Sequence, residues 1–163
     1  TKKTYSDFVL ELEFKVDAVL NSGVQIRAAV YEGDTEVTKK GRKKKKRHQA
    51  GRVRGYQVEI DPDTTRNRMW TGGIYDEARR GWLADLSKNK PARDAFKAGE
   101  WNHFRIQAKG DEIKTWINGV HAVTLRDSMD ASGFIGLQVH GQSKDKGRAG
   151  KHVRWRNIRI KEF

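Results

Sequence analysis

The 163-residue chain has no cysteine, two prolines and two methionines. Lack of cysteine excludes disulfides, thiol nucleophiles and thiolate metal sites, although it does not fix a redox compartment. No run of about 18 apolar residues occurs, so no membrane span is expected. No leader peptide is visible either, but the first residues already lead into a strand, so this says little about location. Acidic residues are scarce in one place only. The net charge is +13, yet residues 39–54 (KKGRKKKKRHQAGRVR) hold ten Lys or Arg and no acid, and the remainder carries 24 basic and 21 acidic residues. The excess is one local insertion. A run of like charges repels itself and reads as a solvated loop. It could also draw a polyanion such as an acidic polysaccharide. The string resembles a nuclear import signal, a pattern with many false matches, and nucleic acid is not the expected partner.

Hydrophobic residues make up 36% of the chain, and five Trp, four Tyr and six Phe can anchor a core. This suits one domain over residues 1–163. Phe8 to Val16 alternates cleanly, with Phe8, Leu10, Leu12, Phe14 and Val16 on one face. The same alternation recurs in Val24-Gln25-Ile26-Arg27, in Tyr56-Gln57-Val58-Glu59-Ile60-Asp61 and in Ile135-Gly136-Leu137-Gln138-Val139-His140. Successive side chains of a strand point to opposite faces, so each segment has an apolar side and a side of polar groups. If these strands share a sheet, Arg27, Glu59, Asp61, Gln138 and His140 converge on one surface.

Asn21-Ser22-Gly23 signals a turn into a strand over about 23–31, and Asp61-Pro62 stops the strand at 55–61. Residues 70–83 (WTGGIYDEARRGWL) have no clean period and read as an ordered loop over a surface. Residues 89–98 suggest a short helix capped by Asn89, with Pro91 in its first turn. Further strands are expected at 101–109, 113–118, 120–125, 133–140 and 153–160, with Asn118-Gly119 as a tight hairpin. Val153 and Trp155 share one parity and Ile158 and Ile160 the other, which suggests a bulge. No internal repeat is seen. Many short strands with regular turns argue for an all-β antiparallel sandwich or barrel.

The stretches SDFVLELEFKV (6–16), NSGVQIR (21–27), GYQVEID (55–61), TGGIYDEARRGWL (71–83), GEWNHFRIQAKGDEIKTWINGV (99–120), SGFIGLQVHG (132–141) and VRWRNIRIKEF (153–163) resemble, in order, the 3-keto-disaccharide hydrolase domain family. The resemblance implies a concanavalin A-like jelly-roll, two antiparallel sheets with the site on the concave face of one. It implies extracytoplasmic bacterial breakdown of sugars oxidised at C3, hence a hydrolase or lyase for 3-keto-glycosides. Two departures stand out: the family's usual N-terminal strands are not represented, and Val139 occupies a position where many members carry Asp. Fold analogy alone licenses no activity.

A 3-keto group acidifies the C2 proton. A base can remove it, the enolate expels the C1 substituent, and water adds to the enone. His140 could be that base, since imidazole titrates near neutral pH. Arg27 could hold the oxyanion. Glu59 or Asp61 could act as acid or base; two residues apart on a strand, they lie about 6.5–7 Å apart at the backbone. Direct hydrolysis by these two carboxylates is a second route. Gln25, Gln57 and Gln138 can hydrogen-bond sugar hydroxyls, Trp116 or Tyr75 can stack on a ring, and Tyr75, Asp76 and Glu77 sit on the Gly-rich loop.

Plainer roles compete. Arg27 and Glu59 could form a cross-strand ion pair, Asp61 could cap its strand, His140 could be a surface histidine, and Trp101, Trp116 and Trp155 could be packing residues. His48, His103, His121 and His152 show no ligand spacing, which argues against zinc. No cofactor is expected; a divalent cation on Glu59, Asp61 and water has no further support in the sequence. The alternatives to an enzyme are a non-catalytic carbohydrate-binding module, with the basic insertion favouring acidic glycans, and a polyanion-binding surface protein.

Overall fold

The computed structural model describes residues 1–38, 45–62, 68–141, 147 and 149–163. The described strands are β1 (Thr4–Tyr5), β2 (Phe8–Val16), β3 (Ser22–Val30), β4 (Thr35–Thr38), β5 (Lys45–His48), β6 (Val53–Ile60), β7 (Ile74–Glu77), β8 (Gly81–Ala84), β9 (Asn102–Lys109), β10 (Glu112–Ile117), β11 (Val120–Arg126), β12 (Gly133–Val139) and β13 (Val153–Glu162). One short helix, α1 (Lys90–Ala95), follows β8; Asn89 caps it by accepting from the Ala92 N–H. No helix among the described residues is long and apolar enough to cross a membrane.

The strands form a six-stranded sheet in the order β1-β12-β3-β6-β7-β8 and a five-stranded sheet in the order β11-β10-β9-β2-β13, with β4 and β5 as a separate hairpin. Neighbouring strands run antiparallel, giving a two-sheet sandwich of jelly-roll type. Alternation is the cause. In β2 the odd-numbered face of glutamates and lysine is partly exposed, while Phe8, Leu10, Leu12, Phe14 and Val16 are all buried. They meet Val24, Ile26, Val58, Ile60 and Ile74 of the facing sheet in one core. Each such side chain contributes roughly 1.5–3 kcal/mol by leaving water. The Asn118-Gly119 turn takes φ of 48° and 82°, the left-handed pair that joins β10 to β11. The bulge expected in the last strand lies between Arg156 and Arg159, with Asn157 at φ 52°.

Two expectations are corrected. Residues 70–83 are not a loop throughout: β7 and β8 pair there and extend the six-stranded sheet. Residues 39–54 are not one solvated loop either. Residues 39–44 lie outside those described, but Lys45–His48 pairs with Thr35–Thr38, and β6 begins at Val53. The strand β1, only two residues long, gives too little sequence for a period to show.

Candidate functional site

The outer face of the six-stranded sheet collects the polar sides of its strands. Gln25 on β3 stands opposite Gln57 on β6 and Gly136 on β12; Gly23 stands opposite Glu59 and Gln138; Gln57 stands opposite Tyr75 on β7. The side chains are joined. Gln25 Nε2 donates to Gln57 Oε1, and Gln57 Nε2 donates to Glu59 Oε1 at 2.7 Å and more weakly to Gln138 Oε1 at 3.4 Å. Asn21, just before β3, donates to Glu59 Oε2 at 3.2 Å. Gly23 makes room for this arrangement, since a Cβ there would lie 2.6 Å from Gln57 Cγ.

Glu59 is 6% exposed, beneath the amides of its neighbours. Burial pushes its pKa up to about 8, with Asp61 and Glu77 adding like charge, against the opposing hydrogen bonds from Asn21 and Gln57. The face therefore contains a carboxylic acid that keeps its proton near neutral pH. A cleft of about 290 Å³ opens on the same face, lined among others by Gln25, Gly136, Gln138, His140, Arg52 and Glu77. Glu59 itself is not among the lining residues. His140 is exposed at the end of β12, and its Nδ1 lies 2.9 Å from the Gly141 carbonyl oxygen. A proton on Nδ1 would donate to that oxygen and leave Nε2 as the basic nitrogen.

The far side of the face is aromatic. Trp82 on β8 meets Tyr75 and Trp70 edge-on, with ring centroids 5.5 and 4.8 Å apart. Arg68 lies over both indoles and pairs with Asp61 at 2.9 Å. Glu77 pairs with Arg52 at the other end. A second depression, wider and more open at about 820 Å³, lies by the β4–β5 hairpin and is lined by Asp34, Arg47 and His48 among others. It contains none of the amide and acid groups just described.

Gln25, Gln57, Gln138, Glu59, Asp61, Tyr75, Glu77 and His140 thus share one face or its rim. Three candidates do not. Arg27 is 1% exposed and turns inward at a bulge, where φ is 45° and the β3–β6 register shifts between Ile26 and Ala29. Its guanidinium donates to the Ser6 and Gly110 carbonyls at 2.8 and 2.7 Å and pairs with Asp7 at 2.9 Å, so it ties the two sheets together and does not face Glu59. Asp76 alternates to the core side, is fully buried, and is held by Arg79 and Arg80. Trp116 lies on the outer face of the other sheet, opposite Arg105 and His121. Asn21, Arg52, Arg68, Trp70 and Trp82 belong to the site without having been singled out by sequence. The Asn-Ser-Gly signal marks Asn21 only as a turn residue, Arg52, Arg68 and Trp70 lie outside the strands, and Trp82 sits on a strand of only four residues, too short for its parity to be read. Among the described residues no group of three or more acidic, His or Cys side chains could hold a metal ion.

The fold is a two-sheet antiparallel sandwich of jelly-roll type, and one face of its six-stranded sheet is lined by amides, acids and aromatic rings. Solved structures agree on the fold. A candidate glycosyl hydrolase from Parabacteroides distasonis ATCC 8503 aligns over 100% of this chain and 81% of its own, with 23% identity and a TM-score of 0.59. The carbohydrate binding module CBM66 from Bacillus subtilis aligns over 98% of this chain and 78% of its own, at 13% identity and TM-score 0.51. A Bacillus subtilis protein of unknown function with a galectin-like fold aligns over 99% and 75%, at 12% identity and TM-score 0.63. Curated protein sequences give no match. The chain belongs to the 3-keto-alpha-glucoside-1,2-lyase-like domain family, whose profile matches residues 1–161.

Proposed function

We propose that the outer face of the six-stranded sheet binds a carbohydrate and cleaves a 3-keto-glycoside by elimination and hydration. The observation that carries this is Glu59, a buried acid whose pKa of about 8 keeps it protonated and whose hydrogen-bonded amides lead through Gln57 to Gln25 and Gln138 at the cleft. The family supports a glycoside-directed role. In this reading Gln25 and Gln138 bind sugar oxygens, and Tyr75 and Trp82 form the apolar wall. His140 Nε2 takes the C2 proton. The C–H electron pair becomes the enolate, which re-forms the ketone as it expels the C1 oxygen substituent, and the leaving oxygen takes from His140 Nε2 the proton that came from C2. Water then adds across the enone, its hydroxyl to C1 and its proton to C2. Arg27 has no part in this scheme, so amide donors take over stabilisation of the enolate oxygen.

The test is incubation with a 3-keto-disaccharide in deuterated water. Deuterium at C2 of the product supports elimination; cleavage without exchange rejects it in favour of direct displacement. A second reading, binding without turnover, is favoured by the ion pairs on this face. Asp61 is engaged by Arg68 and Glu77 by Arg52, which removes both from free acid–base duty. Saturable binding with no product would select that reading.

A further inference from the structure

Gln25 is 5% exposed, yet it lines the cleft, and its Oε1 is a buried atom without a hydrogen-bond partner. An orphaned buried acceptor is rare and calls for an explanation. The Nε2 of the same amide donates to Gln57, which donates to Glu59. With Asn21 donating to the other oxygen, Glu59 is an acceptor at both ends. That is the pattern of an ionised carboxylate, in which every donor runs inward and the last acceptor is left buried without a donor, on a residue that lines the cleft.

With its proton on Oε1, the oxygen that faces Gln57, the carboxyl requires the reverse at that contact. Its O–H donates, so Gln57 must offer Oε1 to Glu59 and Nε2 to Gln25. Oxygen and nitrogen of an amide are nearly isosteric and are assigned by their network. Turning the Gln57 and Gln25 amides over, with Gln138 turned likewise so that its Nε2 now donates to Gln57, therefore changes no heavy-atom position, fills Gln25 Oε1, and leaves Gln25 Nε2 hydrogens for the cleft. Asn21 still donates to the carbonyl oxygen of the acid.

We propose that Gln57 and Gln25 form a two-amide relay through which the proton on Glu59 decides which atom Gln25 offers to a ligand. With Glu59 protonated, Gln25 offers N–H and selects an acceptor-only oxygen, a carbonyl. With Glu59 ionised, Gln25 offers Oε1 and selects a hydroxyl. The ligand half of this inference rests on the carbohydrate reading above; the relay half does not. The groups facing Glu59 are consistent with a neutral acid. Asn21 and Gly23 approach from β3 and its entry, and Gln138 lies beyond on β12. The Gly72–Gly73 backbone and Glu77, paired with Arg52, come from the β7 side. Asp61, paired with Arg68, follows on the same chain segment. The nearest charges of its own sign oppose its ionisation.

The test starts with the ligand-free protein, followed by side-chain NMR of the Glu59 carboxyl carbon and the glutamine Nε2 amides. The Glu59 signal should titrate near pH 8, and the Gln57 and Gln25 amide signals should move with the same midpoint. Glu59→Gln should abolish the amide titration. An unmoved Gln25 amide, or a Glu59 midpoint below about 6, within the range of ordinary folded-protein carboxylates, overturns the relay. Binding of a 3-keto-glucoside and of its 3-hydroxy parent is then compared at pH 6.5 and 9.5. The preference for the ketone should fall by about tenfold, the worth of one discriminating hydrogen bond. Gln25→Met should remove that pH dependence. A preference unchanged by pH overturns the assignment of Gln25. A titrating relay with neither sugar bound upholds the relay and defeats the carbohydrate reading instead.

Discussion

Gln57 donates to Glu59 across 2.7 Å although the two residues are neighbours on the same face of one strand. Side chains two apart on a strand diverge little, and here the glutamine is laid along the strand by its partners on either side. The contact shields the acid from water without supplying a cation. This explains why burial outweighs the two amide donors in setting the Glu59 pKa.

The first prediction follows from that balance. An unfolded Glu59 has its ordinary pKa of 4.5 and the folded one about 8. Between these values the native state holds a proton that the unfolded chain has released. Stability is therefore full below about pH 4.5 and falls as pH rises to about 8. Glu59→Gln keeps the shape and removes the titration. Its Tm relative to the natural protein should rise steadily from pH 5 to pH 9, by an upper bound of about 4–5 kcal/mol in unfolding free energy. A difference that does not change with pH would show that Glu59 is ionised throughout.

Gly23 gives a second prediction. The Cβ of Gly23→Ala would come within 2.6–2.8 Å of three Gln57 side-chain atoms. Gln57 is 1% exposed and cannot simply swing into water. The substitution should cost about 1–3 kcal/mol, the usual range for overpacking. It should also displace Gln57 and weaken carbohydrate binding. Gly136→Ala is the control. Its Cβ meets Gln25 and Phe134 at 3.6 Å, ordinary contact, so stability should change little.

Arg27 provides a third test, because its place in the fold differs from the role its position in the sequence suggests. Removing a buried, hydrogen-bonded cation that joins β3 to the Ser6–Asp7 and Gly110 segments leaves several carbonyls unpaired. Arg27→Met should lower stability by about 1–3 kcal/mol, the cost of leaving its buried carbonyl partners unsatisfied, because Asp7 is half-exposed and is solvated once the pair is lost. Carbohydrate affinity of the protein that remains folded should be unchanged at low temperature. Denaturant melts and titration calorimetry separate the two. A selective loss of affinity without loss of stability would return Arg27 to the site.

Arg27 also shows where sequence reading stops. The parity of β2, β6, β9 and β12 is legible, since hydrophobic alternation tells which side chain faces the core. Glu59, Gln57, Gln25 and Gln138 are on a common face for that reason. A bulge inserts one residue and reverses parity beyond it, and nothing in Val24-Gln25-Ile26-Arg27 marks the break. Trp116 fails differently. Its outward parity is readable, but which of two sheets a strand joins depends on long-range pairing that alternation does not encode. β7 is hidden because Asp76 faces the core, where Arg79 and Arg80 from the following turn neutralise it. A charged residue at a core position erases the period by which strands are recognised.

The same buried cluster carries the last prediction. Arg80 reaches from Asp76 to Asp127, and the Tyr56 hydroxyl donates to Asp127 from inside the six-stranded sheet. Burial works against ionisation of Asp127, but the hydrogen bonds from Arg80 and Tyr56 outweigh it and hold its pKa down to about 2. Burial and the carboxylate together push the Tyr56 hydroxyl up to about 12, so it stays a donor at any ordinary pH. A carboxylate with a lowered folded pKa stabilises fully above its ordinary value of 3.8 and loses that contribution as pH falls toward 2. Asp127→Asn should therefore melt below the natural protein at pH 6, and the gap should narrow as pH drops from 4 toward 2. Tyr56→Phe should show a smaller loss that depends less on pH, because the Arg80 pair remains. Equal gaps at pH 6 and pH 2.5 for Asp127→Asn would mean that packing, and not the ionised cluster, holds the 127–130 turn against the sheet.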